Sequence, residues 1–180
     1  VLAQTFDNWE LVITDDRSTD DSKEIVASFS DPRIRYLLNS ERVGAEGNWN
    51  RCVNESHGVY RKLLCHDDRL HPACLARQVA VIERTQNQNV SLVSSARRVI
   101  SPKGKPILTR CWKNRDQIIT GRSAIRQIVR SGTNQIGETG SVLFRASDWR
   151  ALNGFSARFP YVIDLDFWFK LLGRGDCLYL

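Results

Sequence analysis

The chain has 180 residues, 42% of them hydrophobic and 26% charged, and a formal net charge of +6. That length and balance suit one soluble globular domain with its own core, and no apolar run approaches the ~20 residues that would cross a bilayer as a helix. The excess of arginine fits an anionic partner such as a nucleotide phosphate or a phospholipid surface. The arginines are scattered, without a basic run or interleaved aromatics, which argues against nucleic acid.

Met is absent. The chain therefore reads as a piece of a longer one, incomplete at both ends. Residues 1–6 read as the end of a helix, and residues 177–180 as a strand with nothing after it. Cys52, Cys65, Cys74, Cys111 and Cys177 are odd in number and form no C-x-x-C, which points to reduced thiols in a cytosolic setting. Cys65, His66, His71 and Cys74 cluster. Cys65 ends an apolar run and Cys74 falls on a helix face, however, so both read as core residues rather than zinc ligands.

Residues 9–14 form a short β-rich run that ends at Asp15-Asp16. Residues 17–22 are polar and supply N-cap candidates. Ile25, Val26 and Phe29 then recur at helical spacing, which predicts an amphipathic helix over residues 21–29. Asp31-Pro32 breaks it, and residues 33–38 alternate like a second strand. Strand, helix, strand favours a parallel α/β sheet. A loop with Gly44 and Gly47 leads to a helix over residues 46–56, which His57-Gly58 closes. Residues 59–64 predict a third strand running into His66-Asp67-Asp68. Pro72 opens a helix to residue 84, with Leu75, Val79 and Ile82 on one face, and residues 86–89 are its polar exit.

Residues 90–95 predict a fourth strand, and residues 98–101 with 105–109 a hairpin around Pro102-Lys103-Gly104. Residues 112–119 read as a loop. Thr120 caps a helix through residue 130, with Ile125, Ile128 and Val129 inward. Residues 131–140 form a polar, Gly-containing loop long enough to be functional. A strand at residues 141–144, a short helix at 147–152 ended by Asn153-Gly154, and a buried aromatic helix in the second half of 161–172 follow. No internal repeat or low-complexity linker interrupts the chain, so residues 1–180 read as one domain.

Two acidic pairs, Asp15-Asp16 and Asp67-Asp68, each follow a predicted strand. In a parallel sheet the carboxyl ends of the strands share one edge, where ligands bind, so both pairs are expected at one crevice. Adjacent carboxylates repel, and a divalent metal holding a phosphate relieves that repulsion. Two solvated aspartates in a turn before a helix are the plain alternative. Asp164 and Asp166 stand near the start of the last helix. They fit either a general base with a neighbour or a cap and a first-turn charge.

The motifs VLAQTF, WELVITDDRSTD, DPRIRY, GNWNRCVNESHG, LLCHDDRLHP, IGETGSVLFR and DLDFWFKLL occur in that order along nearly the whole chain. In order and spacing they resemble the inverting nucleotide-sugar glycosyltransferases of family 2, which have the GT-A fold. The resemblance implies an α/β, Rossmann-like, mostly parallel sheet flanked by helices, whose first strand would lie before Val1. It implies that Asp16 contacts the nucleotide base, with Asn50 lining the same pocket. Asp67 would lie near the ribose, and Asp68, with Asp67, would hold Mn2+ or Mg2+ on the diphosphate. Asp164 would be the base that activates an acceptor hydroxyl.

The implied partners are a UDP-, GDP- or dTDP-sugar donor and a sugar or lipid-linked acceptor of surface polysaccharide or glycolipid synthesis. The implied location is cytoplasmic, at the inner face of the plasma membrane. Three departures stand out: Arg17 where the family often has Gly, Ile163 where Glu commonly precedes the base, and His66 in place of a frequent third acidic residue. A sugar nucleotidyltransferase is the alternative enzyme, although its Gly-rich basic phosphate loop is not seen. A phospho-acceptor receiver or an inactive carbohydrate- or nucleotide-binding module is the non-enzymatic one.

Overall fold

In the computed structural model, which describes residues 1–86 and 88–180, the opening is the expected strand, helix, strand. Strand β1 (Leu11–Asp15), helix α1 (Ser22–Ala27) and strand β2 (Ile34–Leu38) follow one another, and the strands pair in parallel from Leu11 opposite Ile34 to Asp15 opposite Leu38. Helix α1 is shorter than its periodicity predicts, and its apolar face is open. Ile25 is 58% exposed and Phe29 48%. Residues 1–6 form turns rather than a helix end: Thr5 N–H donates to the Pro72 carbonyl, and the Gln4 amide spans His71 and Leu75.

Helix α2 (Gly44–Asn54) leads to strand β3 (Tyr60–Arg61), and helix α3 (Cys74–Arg84) leads to strand β4 (Val90–Ser94). The third strand is expected over residues 59–64, but its ladder covers two residues only. Part of the polar exit predicted after α3, Asn87, lies outside the described residues. Strands β5 (Arg97–Ile100) and β6 (Pro106–Arg110) make the expected hairpin. Strand β7 (Gln117–Ile119) was read as loop, because three residues carry too little alternation to show. It is an edge strand against the last strand of the chain.

Helix α4 (Gly121–Ser131) starts as predicted, with Thr120 Oγ1 accepting from Ser123 N–H at 3.4 Å. Strand β8 (Val142–Arg145), helix α5 (Ala146–Ala151), helix α6 (Ile163–Leu172) and strand β9 (Asp176–Tyr179) complete the order. The larger sheet runs β3-β8-β4-β9-β7 beside the separate β1-β2 pair. Only β4 and β9 are parallel in it; β3, β7 and β4 meet their other partners antiparallel. The α/β class stands, but the sheet is mixed rather than mostly parallel. Strand β8 enters between β3 and β4 after a long excursion through the hairpin and α4, and periodicity carries no signal of strand direction.

The core behind the site is aromatic. Phe144, Trp149, Phe155, Phe167 and Trp168 pack together, edge-on for Phe155–Phe167 with centroids 5.0 Å apart and for Phe144–Phe167 at 5.3 Å, and stacked for Phe144–Trp149. Each such fully buried side chain contributes roughly 1.5–3 kcal/mol relative to exposure. Together they fix α6, and hence its first turn, against the central sheet.

Candidate active site

The first acidic pair divides its tasks. Asp15, buried at the end of β1, accepts from Ser18 N–H at 2.6 Å and from the Tyr36 hydroxyl. Burial works to raise its pKa, but the Tyr36 and Ser18 hydrogen bonds outweigh it and hold the carboxyl below its ordinary value. Asp15 thereby shapes the turn that follows. In that turn Arg17 has a φ of 64°, a left-handed conformation that suits glycine.

Asp16 reaches the start of α2. Its Oδ1 accepts from Val43 N–H at 2.8 Å and from Asn39 Nδ2 at 2.7 Å, and its Oδ2 from Gly44 N–H at 2.9 Å. These bonds, led by Val43 N–H, hold its pKa below the ordinary value. Asn50 departs from expectation. Its Nδ2 donates to the Phe155 carbonyl at 3.0 Å and its Oδ1 accepts from Phe155 N–H at 2.9 Å. The amide is occupied in tethering the chain after α5. The amides gathered around Asp16 are those of Asn39 and, through it, Asn48 at 3.0 Å.

The second pair stands on a turn closed by Asp68 N–H donating to the Cys65 carbonyl at 3.2 Å. One oxygen from each of Asp67 and Asp68 and the Cys65 sulfur all lie within 4.8 Å of one another. Two adjacent carboxylates are hard oxygen donors of the kind Mg2+ and Mn2+ take. The Cys65 thiol is a poor fit for such an ion. Burial pushes its pKa up, and its sulfur lies 3.4 Å from Thr139 Oγ1. Partial burial, then the charges of Asp67 and Glu138, raise the Asp68 pKa. A cation here would relieve that repulsion.

Helix α6 delivers Asp164 in its first turn. Val162, not Asp164, takes the N-cap position. Leu165 N–H donates to Asp164 Oδ1 at 2.7 Å, and Asn134 Nδ2 stands 3.5 Å from Oδ2. Burial raises the Asp164 pKa against the Leu165 N–H, and the Glu138 charge adds to it. A half-buried carboxylate held this way is a competent proton acceptor. Asp166 is occupied by Lys170 at 2.6 Å, one turn along the helix.

The residues that sequence reasoning did not single out lie on the loop before β8. Glu138 acts on both Asp68 and Asp164 and pairs with Arg97. Trp168 Nε1 donates to the Gly137 carbonyl at 3.1 Å, and Asn134 Oδ1 accepts from Gly137 N–H at 3.0 Å. Gly137 has a φ of 108°, and a Cβ there would overlap Ser141 Oγ. Lys62 Nζ donates to the carbonyls of Gly140 at 2.8 Å and Val142 at 3.1 Å, and burial draws its pKa down to about 8. Gly140 in turn packs on Asp68: a Cβ there would stand 3.1 Å from Asp68 Oδ2.

The loop, the Asp67-Asp68 turn and the head of α6 thus form one acidic site. Among the described residues no hydrogen bond or ion pair links Asp16 to that site. The loop's length and polarity were visible in the sequence; the roles of Glu138 and Lys62 were not, since nothing local distinguishes them from surface charges.

The family model for glycosyl transferase family 2 matches residues 1–148. A putative glycosyltransferase of Bacillus subtilis, EpsE, is 27% identical over 97% of the chain. The chain spans 56% and 60% of the length of two curated relatives it matches along nearly its whole length. Residues 1–349 of TarS from S. aureus superpose with a TM-score of 0.78 at 16% identity, covering 99% of this chain and 51% of that one. The mannosyltransferase PcManGT from Pyrobaculum calidifontis, in complex with GDP-Man and Mn2+, gives 0.67 at 16% identity, covering 99% and 48%. With the family model matched over most of its length and its α/β framework shared with solved GT-A glycosyltransferases, the chain belongs to glycosyl transferase family 2.

Proposed function

We propose that the full-length protein transfers a sugar from a UDP-, GDP- or dTDP-sugar to a hydroxyl of a sugar or lipid-linked acceptor, inverting the anomeric carbon. The observation that carries this reading is that one loop touches both groups: Asn134 Nδ2 stands 3.5 Å from Asp164 Oδ2, and Gly140 packs on Asp68 of the Asp67-Asp68 turn. Asp68, with Asp67 beside it, is the holder of Mn2+ or Mg2+. When bound, such an ion supplies positive charge that stabilises a departing diphosphate. The PcManGT complex with GDP-Man and Mn2+ supports that assignment by analogy of fold.

Asp67 is assigned to the ribose side of the donor. Asp16 is assigned to the base: three of a carboxylate's roughly four acceptor positions are taken, so one remains for a donor group. Asp164 takes the proton from the acceptor hydroxyl as that oxygen attacks. Its raised pKa brings its basicity closer to neutral pH. Trp168 and Asn134 hold the neighbouring loop still, so the base and the acidic turn keep their spacing. The net charge of +6 fits peripheral contact with an anionic cytoplasmic membrane face. Among the described residues no helix is long and apolar enough to cross a membrane.

The test uses the full-length protein with UDP-, GDP- and dTDP-sugars, Mn2+ or EDTA, and a membrane extract as acceptor source. Nucleoside diphosphate release that EDTA abolishes is expected, and Asp164→Asn should lower it at least ~100-fold while donor binding persists. The anomeric configuration of the product reports inversion. Metal-independent transfer, or an unaffected Asp164→Asn variant, would sink the assignment. Pyrophosphate formed from a nucleoside triphosphate and a sugar phosphate would mark a nucleotidyltransferase instead.

A further inference from the structure

The hairpin of β5 and β6 concentrates the charge of the molecule. Residues 97–110 hold Arg97, Arg98, Lys103, Lys105 and Arg110 and no acidic residue, against a net charge of +6 for the whole chain. Strand pairing sets Arg97 opposite Arg110 and Val99 opposite Leu108. Like charges directly across a ladder repel. Arg97 is met by Glu138. Among the described residues the other four cations form no ion pair, and all four are exposed.

The same hairpin exposes apolar side chains. Ile107 is 63% exposed, Leu108 45% and Val99 36%. Strands β5 and β6 pair only with each other, and every residue of β6 is exposed. A two-stranded ribbon is marginal in water unless something covers it. Lysine and proline on an edge strand guard against pairing with other chains, and Lys105 and Pro106 fit that duty. Edge protection leaves the three apolar side chains unexplained. Cations flanking open aliphatic groups match an anionic bilayer: headgroups take the charges, and the aliphatic groups enter the boundary with the acyl chains. A nucleic acid calls for aromatic side chains on which bases stack, and residues 97–110 contain none.

We infer that the β5-β6 hairpin docks the protein on an anionic lipid surface by its turn and its β6 edge. Arg98, Lys103, Lys105 and Arg110 meet the headgroups, and Ile107 and Leu108 enter the interface. The inference rests on the membrane contact proposed above, which it locates on the molecule, and on no step of sugar transfer. The hairpin adjoins the acidic site at both ends. At its base Arg97 pairs with Glu138. At its turn a Cβ on Gly104 would stand 3.3 Å from Nη1 of Arg69, the chain neighbour of Asp68. A bilayer against the hairpin therefore lies beside the acidic turn, within reach of a lipid-linked acceptor.

The test is flotation of the full-length protein with vesicles of phosphatidylglycerol and phosphatidylcholine, or of phosphatidylcholine alone, without donor or acceptor. Binding that needs phosphatidylglycerol and weakens with salt is expected. Each basic residue near such a surface multiplies binding roughly fivefold, so Lys103→Ala with Lys105→Ala should lower it about 25-fold. Ile107→Ser keeps the charge and should lower it at least about fivefold. Lys23→Ala with Arg84→Ala removes the same charge from exposed sites on α1 and α3, and should leave binding within about threefold. Equal losses from the two charge pairs, or unchanged binding in the hairpin pair, would overturn the inference. So would equal binding to phosphatidylcholine alone, or capture by polyglutamate or RNA in place of vesicles. No sugar is transferred in this assay, so its failure leaves the transfer assignment standing, and loss of transfer leaves the docking result standing.

Discussion

Gly140→Ala tests whether the acidic turn is a metal site, because the substitution reaches Asp68 without removing any ligand. Gly140 has no left-handed backbone conformation, so alanine brings no φ strain. Its Cβ would stand 3.1 Å from Asp68 Oδ2 and 3.3 Å from Leu64 Cδ1. Comfortable carbon–oxygen contacts begin near ~3.3–3.6 Å, so the carboxylate must move by roughly 0.2–0.5 Å. Metal–oxygen distances tolerate about 0.2 Å, and disturbances of groups supporting a metal ligand typically lower affinity or activity about 10–100-fold. Asp68 lies at the surface, so stability should change by less than about 1 kcal/mol.

The assay is Mn2+ titration of the full-length protein in the presence of a nucleoside diphosphate, followed by the spin-resonance signal of free Mn2+, alongside a thermal melt. Weakened Mn2+ binding with an almost unchanged melt is the expected result. Equal Mn2+ affinity in the variant and the parent would refute the assignment of Asp68 to the metal. A large fall in melting temperature would refute the claim that Gly140 acts locally.

Gly121→Ala should be far more damaging to folding, because a Cβ there would overlap the carbonyl oxygens of Leu172 and Gly175. A loss of about 3 kcal/mol or more, and a fall of roughly 6–12 °C in Tm, is expected by calorimetry. Arg17→Gly should raise stability by about 0.5 kcal/mol in urea unfolding. It removes about 1–2 kcal/mol of left-handed strain against about 0.4–1 kcal/mol of added unfolded-state freedom, whereas Arg17→Val should destabilise. The Asp15 carboxylate and burial raise the Tyr36 pKa from 10.0 to about 12. The hydrogen-bonded phenol therefore contributes stability that is complete below pH 10 and is lost as the pH rises through 12. Tyr36→Phe should lack that alkaline limb in pH-dependent melts.

Local chemistry made much of the framework legible. The breaks at Asp31-Pro32 and His57-Gly58, the Thr120 cap and the aromatic periodicity of residues 163–172 act within a few residues, so they survive as sequence signals. Asp164 and the Asp67-Asp68 pair stood out through the resemblance, because carboxylates at element ends serve equally as turn and cap residues. Three things were not legible. Asn50 read as pocket-lining, yet both ends of its amide are taken by Phe155, more than a hundred residues away in the chain. The direction of β8 was invisible because alternation is the same in either sense. The open apolar face of α1 was not legible, because periodicity reports amphipathicity and not what covers it.

From residue order alone follow the strand–helix rhythm, the acidic residues available for chemistry and the need for something to balance their charge. Only the folded chain decides which of those acids meet. Glu138 joins Asp68 and Asp164 because Trp168 and Lys62 pin its loop from two sides. Asp16 is instead drawn to the amides at the start of α2. The reason is range: capping and turn formation act over three or four residues, whereas the field at a carboxylate is set by groups that long-range packing brings within a few ångströms.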